Sequence, residues 1–115
     1  ITALCFAALA LPGLSLSAAI LIMGLLGGFG MTYGVLMAHG RSFVPDHLLG
    51  RGITLLNVLF IGGAGVLQPL SGALMKHMAE APPAQAHATL HLIFAGLLVA
   101  SLVVYAFAKD NSPKA

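Results

Sequence analysis

Charge is what this chain mostly lacks. Its 115 residues include 5 Lys or Arg and 3 Asp or Glu, and the first of these is Arg41. Charged side chains make up 7% of the chain, against roughly 25% in ordinary soluble domains. Apolar residues make up 59%. A small soluble domain buries only part of its apolar surface, so a water-soluble fold is excluded. The five basic residues are scattered rather than clustered, so nucleic acid is not an expected partner. Cys5 is the one cysteine, so no internal disulfide forms and the redox compartment is unreadable. No basic region precedes the first apolar stretch, so it does not read as a signal peptide.

Catalytic signatures are missing too. No Ser/His/Asp arrangement with motif support and no pair of catalytic carboxylates is present. The glycines near residue 28 lie inside an apolar run without the lysine of a phosphate-binding loop. Neither enzyme activity nor a cofactor is expected. His77, Glu80, His87 and His91 gather near one loop, and His87 and His91 are i,i+4 on one helix face. A convincing third ligand is missing, so the group reads as a solvated interfacial cluster and no metal is expected.

What is present is a set of long apolar runs. A bilayer core about 30 Å thick is crossed by about 20 apolar residues in a helix. The expected fold is therefore all-α, a polytopic transmembrane helix bundle with three full spans plus one truncated span. Segment A, Ile1 to Leu11, rises only about 16 Å and lacks the polar face of an interfacial helix. It reads as the end of a span whose beginning is missing. Pro12-Gly13, then Ser15 and Ser17, form a turn and a helix start.

Segment B runs from about Leu16 to His39. Eight Leu, Ile, Phe or Val residues between Ala18 and Met37 favour insertion by about 2 to 5 kcal/mol. Segment C runs from Ile53 to about His77, and segment D from about Ala86 to Ala108. The linkers are Gly40 to Gly52 and Met78 to Gln85, so residues 1–115 hold one membrane domain and no second one. Arg41, Arg51, Lys109 and Lys114 lie on one side of this alternating bundle, with Lys76 alone on the other. The positive-inside rule makes the first side cytoplasmic, together with the C-terminus.

In a continuous helix, Gly24, Gly27, Gly28, Gly30 and Gly34 of segment B span an arc of about 160°. The pairs Gly24/Gly28 and Gly30/Gly34 have the spacing that lets a second backbone approach closely. The face serves either static packing or helices that slide. In segment C, Asn57, Gly65, Gln68 and Gly72 span about 80°. Polar amides at membrane depth face protein or a water-filled cavity. Asn57 and Gln68 are thus either glue between helices or contacts to a substrate or gate. Asn57, one turn inside the loop, is expected to bond to that loop's backbone. Pro69 frees the carbonyl of Gly65, so a kink is expected there. Thr32 is expected to bond back to its own helix, and Tyr33 is either an interface aromatic or a cavity residue.

The run Tyr33-Gly34-Val-Leu-Met-Ala-His-Gly-Arg41, then Pro45, Gly50-Arg51-Gly52, Asn57 and Gly62-Gly63-Ala-Gly65-Val-Leu-Gln68-Pro69-Leu-Ser-Gly72 resembles the major facilitator superfamily of transporters. In that family a short cytoplasmic loop with Arg, Pro and a Gly-Arg pair joins the tenth and eleventh helices. A glycine-rich eleventh helix follows. The resemblance covers about three quarters of the chain, and the family's best-known loop, bearing Asp and Arg, would lie earlier. It implies that A is the end of the ninth helix and that B, C and D are the tenth to twelfth. It implies a C-terminal fragment of a transporter that moves a small solute by alternating access. Thr32 and Tyr33 become cavity candidates, with Asn57 and Gln68 behind them. The implied partners are the lipid bilayer, the missing N-terminal helices and an unidentified solute. A self-contained small membrane protein and a non-transporting membrane subunit are the alternatives.

Overall fold

The computed structural model describes residues Ile1–Ala108; Lys109 and Lys114, used in the charge argument, lie outside the described residues. Every regular element among them is helical. They are α1 (Thr2–Leu9), α2 (Leu16–Phe29), α3 (Tyr33–Arg41), a 3-10 turn (Asp46–Leu48), α4 (Leu49–His77) and α5 (Pro83–Ala106). Three stretches are long and apolar enough to cross a membrane: Leu16–Arg41, Asp46–His77 and Pro83–Ala106. This is the polytopic helical membrane protein that the apolar runs imply.

The side chains agree with a lipid environment. Among the described residues only Cys5, Ala86 and Ala95 are buried. Leu16, Leu21, Ile61 and Val104 are each more than 60% exposed. In water so much exposed apolar surface would cause aggregation. In lipid it is solvated.

The described residues form two compact units, Ile1–Met31 with Ser71–Ala108, and Thr32–Leu70. In the first, α1 packs on α5 and on α2. Phe6 of α1 lies 5.5 Å from Phe94 and 6.1 Å from His91, ring centre to ring centre. Two of its buried residues, Ala86 and Ala95, are small, as helix interfaces in membranes require for close approach. Gly13 makes the turn after α1 at φ +74°, a conformation that L side chains rarely adopt. Ser15 then caps α2 by accepting the Ala18 N–H at 3.3 Å.

In the second unit, α3 and the start of α4 flank a tight loop. Pro45 precedes the 3-10 turn at φ −60°. A Cβ at Gly40 would lie 2.9 Å from Leu56 Cδ1. The loop is shorter than its composition suggests, because Gly50, Arg51 and Gly52 belong to the first turns of α4. The expected start of segment C at Ile53 is thereby corrected to Leu49. A Gly-Arg-Gly run reads as loop in a sequence, but nothing in its backbone forbids a helix. Segment D likewise begins at Pro83, because proline suits a first helical turn.

Segment B differs most from expectation. It is not one helix to His39. α2 ends at Phe29, and Gly30 (φ −73°, ψ −12°) and Thr32 (φ −86°, ψ −3°) carry ψ values too near zero to propagate a helix. Low propensity explains the site: Gly27, Gly28 and Gly30 lead into the break, and each weakens a helix relative to alanine. By contrast, α4 passes Pro69 without interruption.

Candidate functional site

The break in segment B decides where polar groups lie within the apolar layer. Residues 30–32 sit about 4 Å from the midpoint of the Leu16–Arg41 stretch at helical rise. The Gly30 N–H still donates to the Leu26 carbonyl at 2.8 Å. The next backbone N–H with a backbone partner is that of Leu36, which donates to the Thr32 carbonyl at 3.0 Å. Met31 through Val35 therefore present unpaired backbone N–H groups among the described residues. In a bilayer each such group costs several kcal/mol unless protein or water meets it. Irregular backbone at this depth belongs where it is buried in protein or lines a water-filled cavity.

Next to the break, the Tyr33 hydroxyl donates to Asn57 Oδ1. This pairs the first residue of α3 with the third turn of α4. Phe60, one turn along α4 from Asn57, meets the Tyr33 ring edge-on at 4.7 Å and 83°. The tyrosine is thus held at both ring and hydroxyl. Asn57 is half-buried, and its two amide N–H groups have no partner among the described residues.

The sequence-derived candidates divide accordingly. Tyr33 and Asn57 are brought together. Asn57 bonds to the Tyr33 hydroxyl and not, as expected, to the loop backbone. Thr32 stands beside them as the N-cap residue of α3, and its hydroxyl makes no cap bond. Its expected bond to its own helix is corrected: the chain leaves α2 after Phe29, so Thr32 is not in helical register with the Gly28 carbonyl four residues behind it and makes no such bond. Thr54 and Thr89, inside unbroken helices, do bond back, to Gly50 and Gln85 carbonyls at 2.9 Å each. Gln68 is exposed on α4 and makes no hydrogen bond among the described residues. It lies about 16 Å along the axis from Asn57 and belongs to no common site with it.

The glycine face is reshaped by the break. Gly24, Gly27 and Gly28 stay on α2, whereas Gly34 lies on α3, so the single five-glycine arc is corrected to a three-glycine face. A Cβ at Gly24, Gly28, Gly34, Gly65 or Gly72 would meet nothing within 4 Å. Gly30 differs, since its Cβ would lie 2.6 Å from the Leu26 carbonyl oxygen. Arg41 ends α3, and Arg51 is exposed in the first turn of α4.

The histidines near the other loop do not converge. His87 Nδ1 lies 2.7 Å from the Pro83 carbonyl, which can only accept, so Nδ1 carries a hydrogen. His91 instead turns to Phe6, and its Nδ1 is shielded without a hydrogen-bond partner. Among the described residues no three His, Cys, Asp or Glu side chains are grouped to hold a metal.

Sequence reasoning named Tyr33 and Asn57 separately but missed their pairing and the break that frames it. The signal was there in Gly27-Gly28-Phe29-Gly30 followed by Thr32. No protein family, curated protein or solved structure matches this chain.

Proposed function

We propose that this chain is part of a secondary transporter of the major facilitator type, which moves a small solute by alternating access. One observation carries the reading: an apolar span is interrupted near its midpoint, beside a tyrosine–asparagine pair. Unpaired backbone at membrane depth calls for a water-filled cavity or further helices around it. Discontinuous helices near the bilayer midplane are a recurrent way for transporters to form binding sites. Thr32, Tyr33 and Asn57 line the cavity in this reading. Gln68 lies beyond the midpoint of its span, toward the opposite face, and takes part in bending near Pro69. The loop around Arg41, Pro45, Gly50 and Arg51 faces the cytoplasm of a cell inner membrane, as does the C-terminus. The surrounding partners are lipid and further helices of the same transporter. No chemical conversion of the solute is involved.

Uptake of a panel of radiolabelled solutes by the complete gene product in liposomes tests this. Saturable uptake of at least one solute is expected, and it should slow when Tyr33 or Asn57 is replaced. A complete gene product with only these spans and no uptake would favour a non-transporting membrane subunit.

A further inference from the structure

The Tyr33–Asn57 pair also restricts what the cavity binds. A primary amide accepts at oxygen and donates at nitrogen. The Tyr33 hydroxyl donates to Asn57 Oδ1, so the amide is oriented with its nitrogen free. Phe60 meets the tyrosine ring edge-on at 4.7 Å, which holds the hydroxyl beside Asn57. Tyr33 and Asn57 each sit about 7 Å from the midpoints of their spans, both toward the loop at residues 42–45. An unpaired NH2 group at that depth is costly and calls for an acceptor. The break leaves carbonyls as well as N–H groups unpaired among the described residues: Gly30 and Met31 C=O accept no backbone bond, beside the N–H donors of Met31 to Val35, and Asn57 bonds to neither carbonyl. The nearest ionised side chains along the chain, Arg41 and Arg51, lie six to eight residues toward the loop, about 9 to 12 Å.

Building on the transporter reading, we propose that Asn57 donates its amide N–H groups to a carbonyl-type oxygen of the solute, a carboxylate or an amide. Tyr33 is the positioning residue that fixes the amide's orientation. The Asn57 NH2 itself does not bind a cation, because an amide nitrogen can only donate.

The test uses the complete protein with every native cysteine, Cys5 included, replaced by alanine. Thr32→Cys then supplies a reporter thiol beside the pair. Its alkylation by a membrane-impermeant reagent is timed with and without acetate, acetamide or tetramethylammonium. Each probe is used at about 100 mM, because ligands of so few atoms bind weakly. The thiol should react, and acetate and acetamide should each slow it at least about twofold. Tetramethylammonium should leave the rate unchanged. Asn57→Leu should abolish the protection, and Tyr33→Phe, which retains the ring, should weaken it. Asn57→Asp should reverse the preference, with tetramethylammonium protecting and acetate not. If the thiol of folded protein never reacts, no aqueous cavity reaches this site, and the transporter reading fails with the inference. If it reacts without protection, or all three probes protect equally, or protection survives Asn57→Leu, only the assignment of Asn57 is overturned. Its amide is then taken by another helix.

Discussion

Val44 fills the space where a side chain at Gly52 would stand: a Cβ there would lie 2.5 Å from Val44 Cγ2 and 2.6 Å from Cγ1. Valine is β-branched and stiff at χ1, so it cannot swing aside. Gly52→Ala should therefore destabilise the complete protein by about 1 to 3 kcal/mol, as overpacking does. Gly50→Ala, two residues earlier, meets nothing within 4 Å. It should be neutral or stabilising by up to about 1 kcal/mol. Val44→Ala should rescue Gly52→Ala. Thermal unfolding of the two single variants and the double variant checks all three.

At the break in the first long span, Gly30→Ala should be costly for a different reason. The atom its Cβ would meet is the Leu26 carbonyl oxygen, which is backbone. A shift of the chain itself is needed, so a loss of about 1 to 3 kcal/mol is expected. Unfolding temperatures of Gly30→Ala and wild type decide it, and equal values would mean that the break adapts freely.

The hydrogen bond between Tyr33 and Asn57 should be modest in energy. Interhelical bonds in membranes average about 0.6 kcal/mol, with a maximum near 1.7. A double-mutant cycle with Tyr33→Phe and Asn57→Leu should give a coupling in that range. A coupling near zero would mean that the pair does not form in the bilayer.

The spans were readable from Leu16 onward because insertion depends on summed apolarity, which needs no knowledge of neighbours. The turn at Pro12-Gly13 and the cap at Ser15 were readable because they are local chemistry. The break after Phe29 was not, because the same glycines serve equally as a packing face of an unbroken helix. Propensity separates those outcomes by only about 1 kcal/mol per glycine. Tyr33 and Asn57 were each legible as polar groups at depth. Their pairing across 24 residues was not, since it depends on where α3 starts and how α4 lies beside it.

Sidedness can be checked by chemistry. Cysteines placed in the complete protein at Ser42, just after α3, and at Ala84, in the first turn of α5, are separated by one long span. Impermeant reagents should label them from opposite faces of the membrane, with Ser42→Cys reached from the cytoplasm. Same-face labelling would refute the arrangement.

The face carrying Gly24 and Gly28 is open within residues 1–108. If another helix of the complete protein packs there, Gly28→Leu should lower folded yield more than Leu21→Ala does, because the larger side chain wedges the backbones apart. Small, equal losses would place Gly28 against lipid.

The interruption between Gly30 and Tyr33 also has an isotopic consequence. Amide protons locked in a membrane helix exchange with deuterium extremely slowly, since both the bond and the surrounding oil protect them. The N–H groups from Met31 to Val35 are held by no backbone carbonyl. In heavy water they should exchange far ahead of Leu25 or Val58, which lie within unbroken helices. That rapid exchange would mark a wet notch halfway through an otherwise dry wall.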